Sequence, residues 1–153
     1  MRTILFAACL FSGVTALAAT PAETPAAADP ALARTHADAA LQWGPCPAFM
    51  PAGCSIAVLH GDPGKNNSDV FFKVPAGTAI PKHWHTSAER MVLVSGTLSV
   101  TYDGQPTSVL EPGSYAYGPA KLPHEGTCAA GDPCVLFIAF ESPVDAFAVE
   151  AQP

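Results

Sequence analysis

The sequence predicts an all-β domain, either an antiparallel sandwich or a closed barrel. From residue 54 onward, short apolar segments alternate with clusters of Gly, Pro, Asn and Asp, and helical periodicity is weak. Two segments, 91–94 and 135–140, are apolar on both faces, which is typical of strands that are buried on both sides. The chain has 153 residues, enough for one ordinary domain.

Turn signals divide this region into a series of predicted strands. Asp103-Gly104 is a strong signal for a hairpin, and Glu111, Pro112 and Gly113 turn the chain into the next strand. The last predicted strand is an edge strand. The predicted strands cover residues 55–60, 70–74, 82–86, 90–95, 97–102, 107–110, 114–117, 124–128, 134–141 and 144–149.

Residues 1–18 have the pattern of a secretory signal peptide, with a positive start, an apolar run and the cleavage pattern Ala16-Leu17-Ala18. The apolar run is short for a membrane-spanning helix, which is the alternative. Residues 19–42 are predicted to be an Ala/Pro-rich linker that precedes the barrel as a loop or as a short helix, for which Asp29 is a candidate N-cap. We therefore expect an exported protein, periplasmic or secreted, whose barrel domain spans residues 43–150.

The chain is acidic, with a formal net charge of −6. This charge argues against nucleic-acid binding and against anionic membrane surfaces, because both favour basic patches. We expect no membrane contact once the leader is removed.

Four cysteines lie beyond the predicted leader, and an even number in an exported chain favours disulfides. Four cysteines allow three pairings. The local pairs Cys46–Cys54 and Cys128–Cys134 are preferred, because each closes a loop that contains Gly and Pro. A cysteine metal site is the alternative, but these spacings do not match the usual thiolate pairs.

His83 and His85 are the strongest chemical signal in the chain. On a strand, alternate side chains point to the same face, so both imidazoles face one way and Trp84 faces the other. Glu89 follows four residues after His85. Imidazoles are the commonest protein ligands for transition metals, and two of them with a nearby carboxylate predict the beginning of a mononuclear metal site.

The spacing around this pair resembles the first motif of the cupins, a superfamily of small jelly-roll β-barrels. That motif reads G-x5-H-x-H-x3–4-E-x6-G. Here Gly77 is followed at these intervals by His83, His85, Glu89 and Gly96, so every position matches.

A second stretch resembles the second cupin motif, G-x5-P-x-G-x2-H-x3-N. Gly113, Pro119 and His124 match, whereas Lys121 and Cys128 stand where the family has Gly and Asn. Lys121 implies that the tight glycine turn is made differently, and Cys128 implies that a disulfide anchors the end of the strand.

The resemblance covers residues 54–142 and implies a small exported monocupin of the type-2 kind. It implies that the metal ligands are His83, His85, Glu89 and His124. A single cupin core also implies a possible homodimer.

Three imidazoles and one carboxylate suit one divalent transition metal, Fe, Mn, Ni, Co, Cu or Zn, and leave positions open for a substrate. We expect an exported metal-dependent enzyme, oxygenase-like or with isomerase or lyase chemistry, that acts on a small organic substrate. Glu89 is its candidate general base. The alternative is a non-catalytic metal-loaded protein that binds or senses a small ligand. The expected pocket-lining residues, which ordinary core packing would also explain, are Met91, Leu93, Tyr115, Tyr117 and Phe137.

Overall fold

The computed structural model describes residues 29–150, so the predicted signal peptide 1–18 and the first part of the predicted linker lie outside the described residues. The described residues are all-β, which confirms the predicted fold class. They contain no helix that is long and apolar enough to span a membrane. The strands are β1 (Trp43–Pro45), β2 (Ser55–His60), β3 (Ser68–Val74), β4 (Ala79–Trp84), β5 (Glu89–Ser95), β6 (Leu98–Tyr102), β7 (Ser108–Leu110), β8 (Tyr115–Gly118), β9 (His124–Cys128), β10 (Cys134–Phe140) and β11 (Phe147–Ala148).

These strands form two antiparallel sheets of the jelly-roll type. The six-stranded sheet has the order β1-β2-β3-β10-β5-β8, and the five-stranded sheet has the order β11-β4-β9-β6-β7. Neighbours in each sheet are often distant in sequence, because the chain crosses between sheets, as it does in a jelly roll. Two of the central strands, β5 and β10, carry the segments that are apolar on both faces.

The core lies between the two sheets and draws on both. Leu93 and Ile138 come from the six-stranded sheet, and Leu98 and Val100 come from the five-stranded sheet. The inward faces of the strands alternate with outward residues, as the period of two requires. The core therefore fixes the two sheets relative to each other, and the site lies between them.

Of the two forms predicted for the N-terminal extension, the described residues form the loop and not the short helix near Asp29. Residues 29–42 contain no helix in the structure, and residues 35–41 instead make two tight turns. Asp38 stabilises the second turn, because its Oδ1 accepts a hydrogen bond of 2.8 Å from the backbone N–H of Ala40. Such a local bond competes with helix formation. Leu32 is exposed, so a helix here would have little apolar surface to bury.

Two short edge strands differ from the sequence-based expectation. β1 lies in a Pro- and Gly-rich stretch for which no strand is predicted, yet it pairs with β2. Of the predicted strand 144–149, residues 147–148 form a strand, β11, which pairs with β4. On β11, Phe147 stacks on Trp84 with ring centroids 4.6 Å apart, so Trp84 packs away from the histidines, as the alternation predicted.

Both disulfides join the predicted partners. Cys46 is bonded to Cys54 and Cys128 to Cys134, with Cα atoms 5.6 and 5.7 Å apart respectively. The first bond anchors the loop before β2, and the second connects the end of β9 to the start of β10. The position where cupins carry Asn is thus used here as a disulfide anchor.

Candidate metal centre

Three histidines and one glutamate converge between the two sheets. His83 lies on β4 and pairs across the five-stranded sheet with His124, the first residue of β9. His85 follows directly after β4, and Glu89 opens β5 in the other sheet. All four side chains are buried. The sequence-predicted ligand positions are therefore brought together.

The backbone holds each imidazole by its Nδ1 atom. The Nδ1 atoms of His83, His85 and His124 lie 2.7, 2.5 and 3.2 Å from the carbonyl oxygens of Pro81, Asp145 and Leu122. A carbonyl oxygen can only accept a hydrogen bond, so each Nδ1 must carry the proton and donate it. In the neutral ring, Nε2 then has a free lone pair, which is the form that binds a metal ion.

The free nitrogens point toward one another and toward Glu89. Each histidine offers one ring nitrogen, and these three atoms lie within 4.8 Å of one another. Glu89 Oε1 is 3.4 Å from His85 Nε2, and Glu89 Oε2 is 3.7 Å from His124 Nε2. These separations are long for direct hydrogen bonds. They leave room for an ion among the four side chains.

Burial shifts the protonation of all four groups toward their neutral forms. It lowers the pKa of His83, His85 and His124 to about 4, and charge on a neighbouring histidine contributes to each shift. Burial raises the pKa of Glu89 to about 8. In the metal-free protein near neutral pH, the contacts between Glu89 and the imidazoles are therefore not ion pairs.

This donor set fits a divalent transition metal. Three neutral imidazoles with free Nε2 lone pairs and one carboxylate are ligands of the borderline kind that these ions prefer. A dication would also compensate the unfavourable burial of an ionised Glu89. Within the described residues, the three histidines form a group that could hold a metal ion.

A cavity of about 210 Å³ opens onto these four side chains. Its walls are mostly apolar and come from both sheets, from the loop held by Cys46 and from the segment after β10. Among the described lining residues there is no Lys or Arg. The apolar walls include Met50, Ile56, Phe72, Ile80, Met91, Leu98, Val100, Leu136, Ile138 and Phe140.

The predicted pocket lining is partly wrong. Met91 lines the cavity, but Leu93, on the same face of β5, is fully buried in the core and does not reach it. Tyr115 and Tyr117 are exposed, because β8 turns its small residues inward instead. Phe137 also lies away from the cavity, since its neighbours on β10 at positions 136 and 138 are the ones that line it.

Comparison with known proteins identifies the barrel. The family model described as "Cupin domain" matches residues 70–140, a range that contains all four converging side chains. Residues 70–140 carry a cupin domain. Among curated proteins, no sequence matches this cupin significantly.

Solved structures similar to this cupin include enzymes. The polyketide cyclase RemF from Streptomyces resistomycificus has a TM-score of 0.64 at 17% identity, covering 80% of this chain and 88% of RemF. A chain from the crystal structures of the DMSP lyases RdDddP and RnDddQII has a TM-score of 0.63 at 19% identity, covering 72% of this chain and 63% of that one. The DMSP lyase DddQ from Ruegeria pomeroyi has a TM-score of 0.61 at 19% identity, covering 71% of this chain and 60% of DddQ. The cupin thus spans less than two thirds of the length of the two lyase chains, and at these identities the likeness concerns the fold.

The expectation that Lys121 changes the turn of the second cupin motif is wrong. Its φ is +62°, so the lysine itself adopts the left-handed conformation that favours glycine. From this position its backbone N–H donates a 2.8 Å hydrogen bond to the carbonyl oxygen of His85. The turn therefore supports a metal-site histidine despite an unfavourable residue type.

We expect Lys121→Gly to raise the free energy of unfolding by about 0.5–1 kcal/mol, because glycine relieves left-handed strain at some cost in chain entropy. Urea denaturation of the metal-free protein measures the change. Lys65→Gly is the matched control, since Lys65 lies in an exposed turn without a positive φ, and it should not stabilise the protein. Equal effects of the two substitutions would contradict this account.

The segment after β10 holds the other side of the site. Asp145 accepts the Nδ1–H of His85 with its carbonyl oxygen, and its Oδ1 accepts a 2.8 Å hydrogen bond from the backbone N–H of Thr86. Ser87 Oγ accepts hydrogen bonds from the backbone N–H groups of Glu141 and Ser142. These contacts bind the segment to the metal-site loop, 85–88, and fix the ring of His85.

Sequence reasoning missed Tyr102, which lines the cavity beside the metal centre. It ends β6 opposite His124 on β9, and the two ring centroids are 4.9 Å apart. The signal that could have revealed it is the pairing of the hairpin strand 97–102 with the strand that carries the last histidine. Spacing within one strand does not contain that information.

Gly118 leaves the space that Tyr102 and Glu89 occupy. A Cβ on Gly118 would lie 2.6 Å from Tyr102 Oη, closer than such atoms approach, and 3.0 Å from Glu89 Oε2, which is tighter than most contacts of this kind. We expect Gly118→Ala to lower the free energy of unfolding by about 1–3 kcal/mol, because both side chains sit in packed surroundings. The control is Gly44→Ala, whose Cβ would meet its nearest neighbour at 3.9 Å. Similar losses in both variants, measured by urea denaturation, would argue against crowding at the site.

Proposed function

We propose that this cupin binds one divalent transition metal through His83, His85 and His124, with Glu89 as the fourth ligand. The observation that carries the proposal is the common orientation of the three imidazoles. Each donates its Nδ1–H to a backbone carbonyl, which directs an unprotonated Nε2 toward the shared centre. The Nδ1–H bond alone would be enough to hold a buried histidine in the fold. Three unprotonated Nε2 atoms that converge on one buried carboxylate add nothing to folding, but they are the arrangement that binds a metal ion.

We further propose that the protein is an enzyme, oxygenase-like in its chemistry, that acts on a small organic substrate in the apolar cavity. A bound metal with four protein ligands supplies Lewis acidity and an open coordination position. The walls of the cavity exclude water from this position and orient the substrate. Glu89 is suited to accept or return a proton at a carboxylate oxygen, because its side chain is buried at the metal centre and lines the cavity that would hold the substrate. Lyase or isomerase chemistry is the enzymatic alternative within the same site.

Metal analysis followed by turnover assays tests this proposal. We expect the protein, produced in an oxidising compartment, to contain about one transition-metal ion per chain. Oxygen consumption with catechols, flavonols and thiols should then reveal turnover that is lost in His85→Ala. Metal binding without turnover on a broad panel would favour the alternative, a metal-loaded protein that binds or senses a small ligand. Absence of metal even after reconstitution would refute both.

Export and self-association belong to the same proposal. The two disulfides support export to the periplasm or secretion, because such bonds persist in oxidising compartments. N-terminal sequencing of the exported protein should show cleavage after residue 18, and an intact N-terminus would contradict it.

We also propose a homodimer, for which sedimentation equilibrium is the direct measurement.

A further inference from the structure

Tyr102 presents a buried hydroxyl that the protein's described residues leave without a partner. The side chain is 8% exposed, and its Oη makes no hydrogen bond with any described group. Leaving a buried hydroxyl unsatisfied is unfavourable, so most such groups in proteins find a partner. A solvent molecule or a bound ligand can supply that partner where the group faces a cavity.

The hydroxyl lies next to the metal centre. Tyr102 Oη and Glu89 Oε2 are both within 3.0 Å of the point where a Cβ on Gly118 would stand. The ring of Tyr102 lies 4.9 Å from that of His124, and both residues line the cavity. The strand pairing of β6 with β9 holds this arrangement in place. A ligand atom beside the metal-binding nitrogens would therefore lie near the phenol.

Among the described residues that line the cavity, Tyr102 is the one with a hydroxyl group. The cavity walls are mostly apolar, and the described lining residues include no Lys or Arg. The other polar side chains there are acidic residues, namely Glu89, Glu125 and Asp145, and the histidines. A tyrosine phenol loses its proton only at about pH 10, so the Tyr102 O–H is a hydrogen-bond donor at neutral pH.

We propose that Tyr102 donates a hydrogen bond to an oxygen atom of the small ligand held at the metal centre. It thereby selects ligands that combine an apolar body with an oxygen acceptor next to the metal-binding atom. This inference rests on the proposed function, because the metal centre places the ligand in the cavity.

The test compares Tyr102→Phe with Tyr115→Phe, which removes the same hydroxyl from an exposed tyrosine away from the cavity. Each protein is loaded with Co²⁺ and titrated with acetohydroxamic acid, a small oxygen ligand, and the visible absorption of the cobalt is followed. We expect the dissociation constant to rise about tenfold in Tyr102→Phe, the effect of one lost hydrogen bond, and to stay unchanged in Tyr115→Phe. Equal affinities of wild type and Tyr102→Phe would overturn the inference.

A second measurement separates ligand contact from a structural role. The Co²⁺ affinity of Tyr102→Phe should equal that of wild type, and the thermal midpoint of its metal-free form should be unchanged or higher, since the lost hydroxyl has no protein partner. A lower midpoint would show that the hydroxyl serves the fold and would overturn the inference. Failure of the cobalt-loaded wild type to bind acetohydroxamic acid would overturn this inference alone. Failure of the wild type to bind cobalt would refute the proposed function as well.

Discussion

His85→Ala should lower the affinity of the protein for a divalent transition metal at least about a hundredfold. Removing an outer hydrogen-bond partner of a metal ligand costs 10–100-fold in many sites, so the loss of a ligand should cost more. His85 contributes one of the three converging ring nitrogens, and its Nε2 is 3.4 Å from Glu89 Oε1. Competition with a chromophoric chelator measures the affinity, and elemental analysis measures the metal retained after purification.

The barrel should remain folded in His85→Ala, because the core and both disulfides do not depend on this side chain. Circular dichroism checks that point. His36→Ala is the matched control, since His36 is exposed and lies outside the site, and it should retain wild-type affinity. His124→Ala gives an independent second variant. Wild-type metal content in both site variants would show that the ligand assignment is wrong.

The fold and the positions of the four converging side chains could be predicted, because both depend on regular spacing. Strand alternation places His83 and His85 on one face, and the gaps to Glu89 and His124 match family motifs. The disulfide partners also follow from short separations along the chain. In each case, the relevant geometry is contained in one strand, one turn or one motif.

The lining of the cavity depends on which face of each strand points inward, and the sequence around it is ambiguous. In β10, apolar residues occupy both faces, so nothing marks Phe137 as outward. In β8, the large tyrosines face solvent and the inward residues are Ala116 and Gly118, the reverse of the usual pattern. Gly118 is small because Tyr102 and Glu89 fill the space beside it, a fact that only the packing of β6 and β5 against β8 reveals.

The metal-free protein should be most stable close to pH 7 and should lose stability on both sides. On the acid side, the three site histidines have a pKa of about 4 when folded and about 6.5 when unfolded. The unfolded chain therefore binds more protons between these values, and the free energy of unfolding falls as the pH drops from 6.5 to 4. With three such groups, we expect a loss on the order of several kcal/mol.

Glu89 acts in the opposite direction. Its pKa is about 8 in the folded protein and near 4.5 in the unfolded chain, so between these values the folded state holds a proton that the unfolded state has released. Stability therefore declines as the pH rises toward 8, and it levels off beyond that. Urea denaturation of the metal-free protein from pH 5 to 9 measures both sides, and Glu89→Gln should abolish the alkaline decline while keeping the acid one. An alkaline decline that persists in Glu89→Gln would assign it to another group.

Metal loading should reverse the alkaline part of this profile. Binding requires neutral imidazoles and an ionised carboxylate, so it releases the proton of Glu89 and grows stronger as the pH rises toward 8. The stabilisation by metal, measured as the difference between loaded and metal-free protein at each pH, should therefore be small near pH 5 and largest at or above pH 8. The same comparison in Glu89→Gln should give a difference that depends on pH only through the histidines. A pH-independent stabilisation in the wild type would mean that Glu89 releases no proton when the metal binds and is not a ligand.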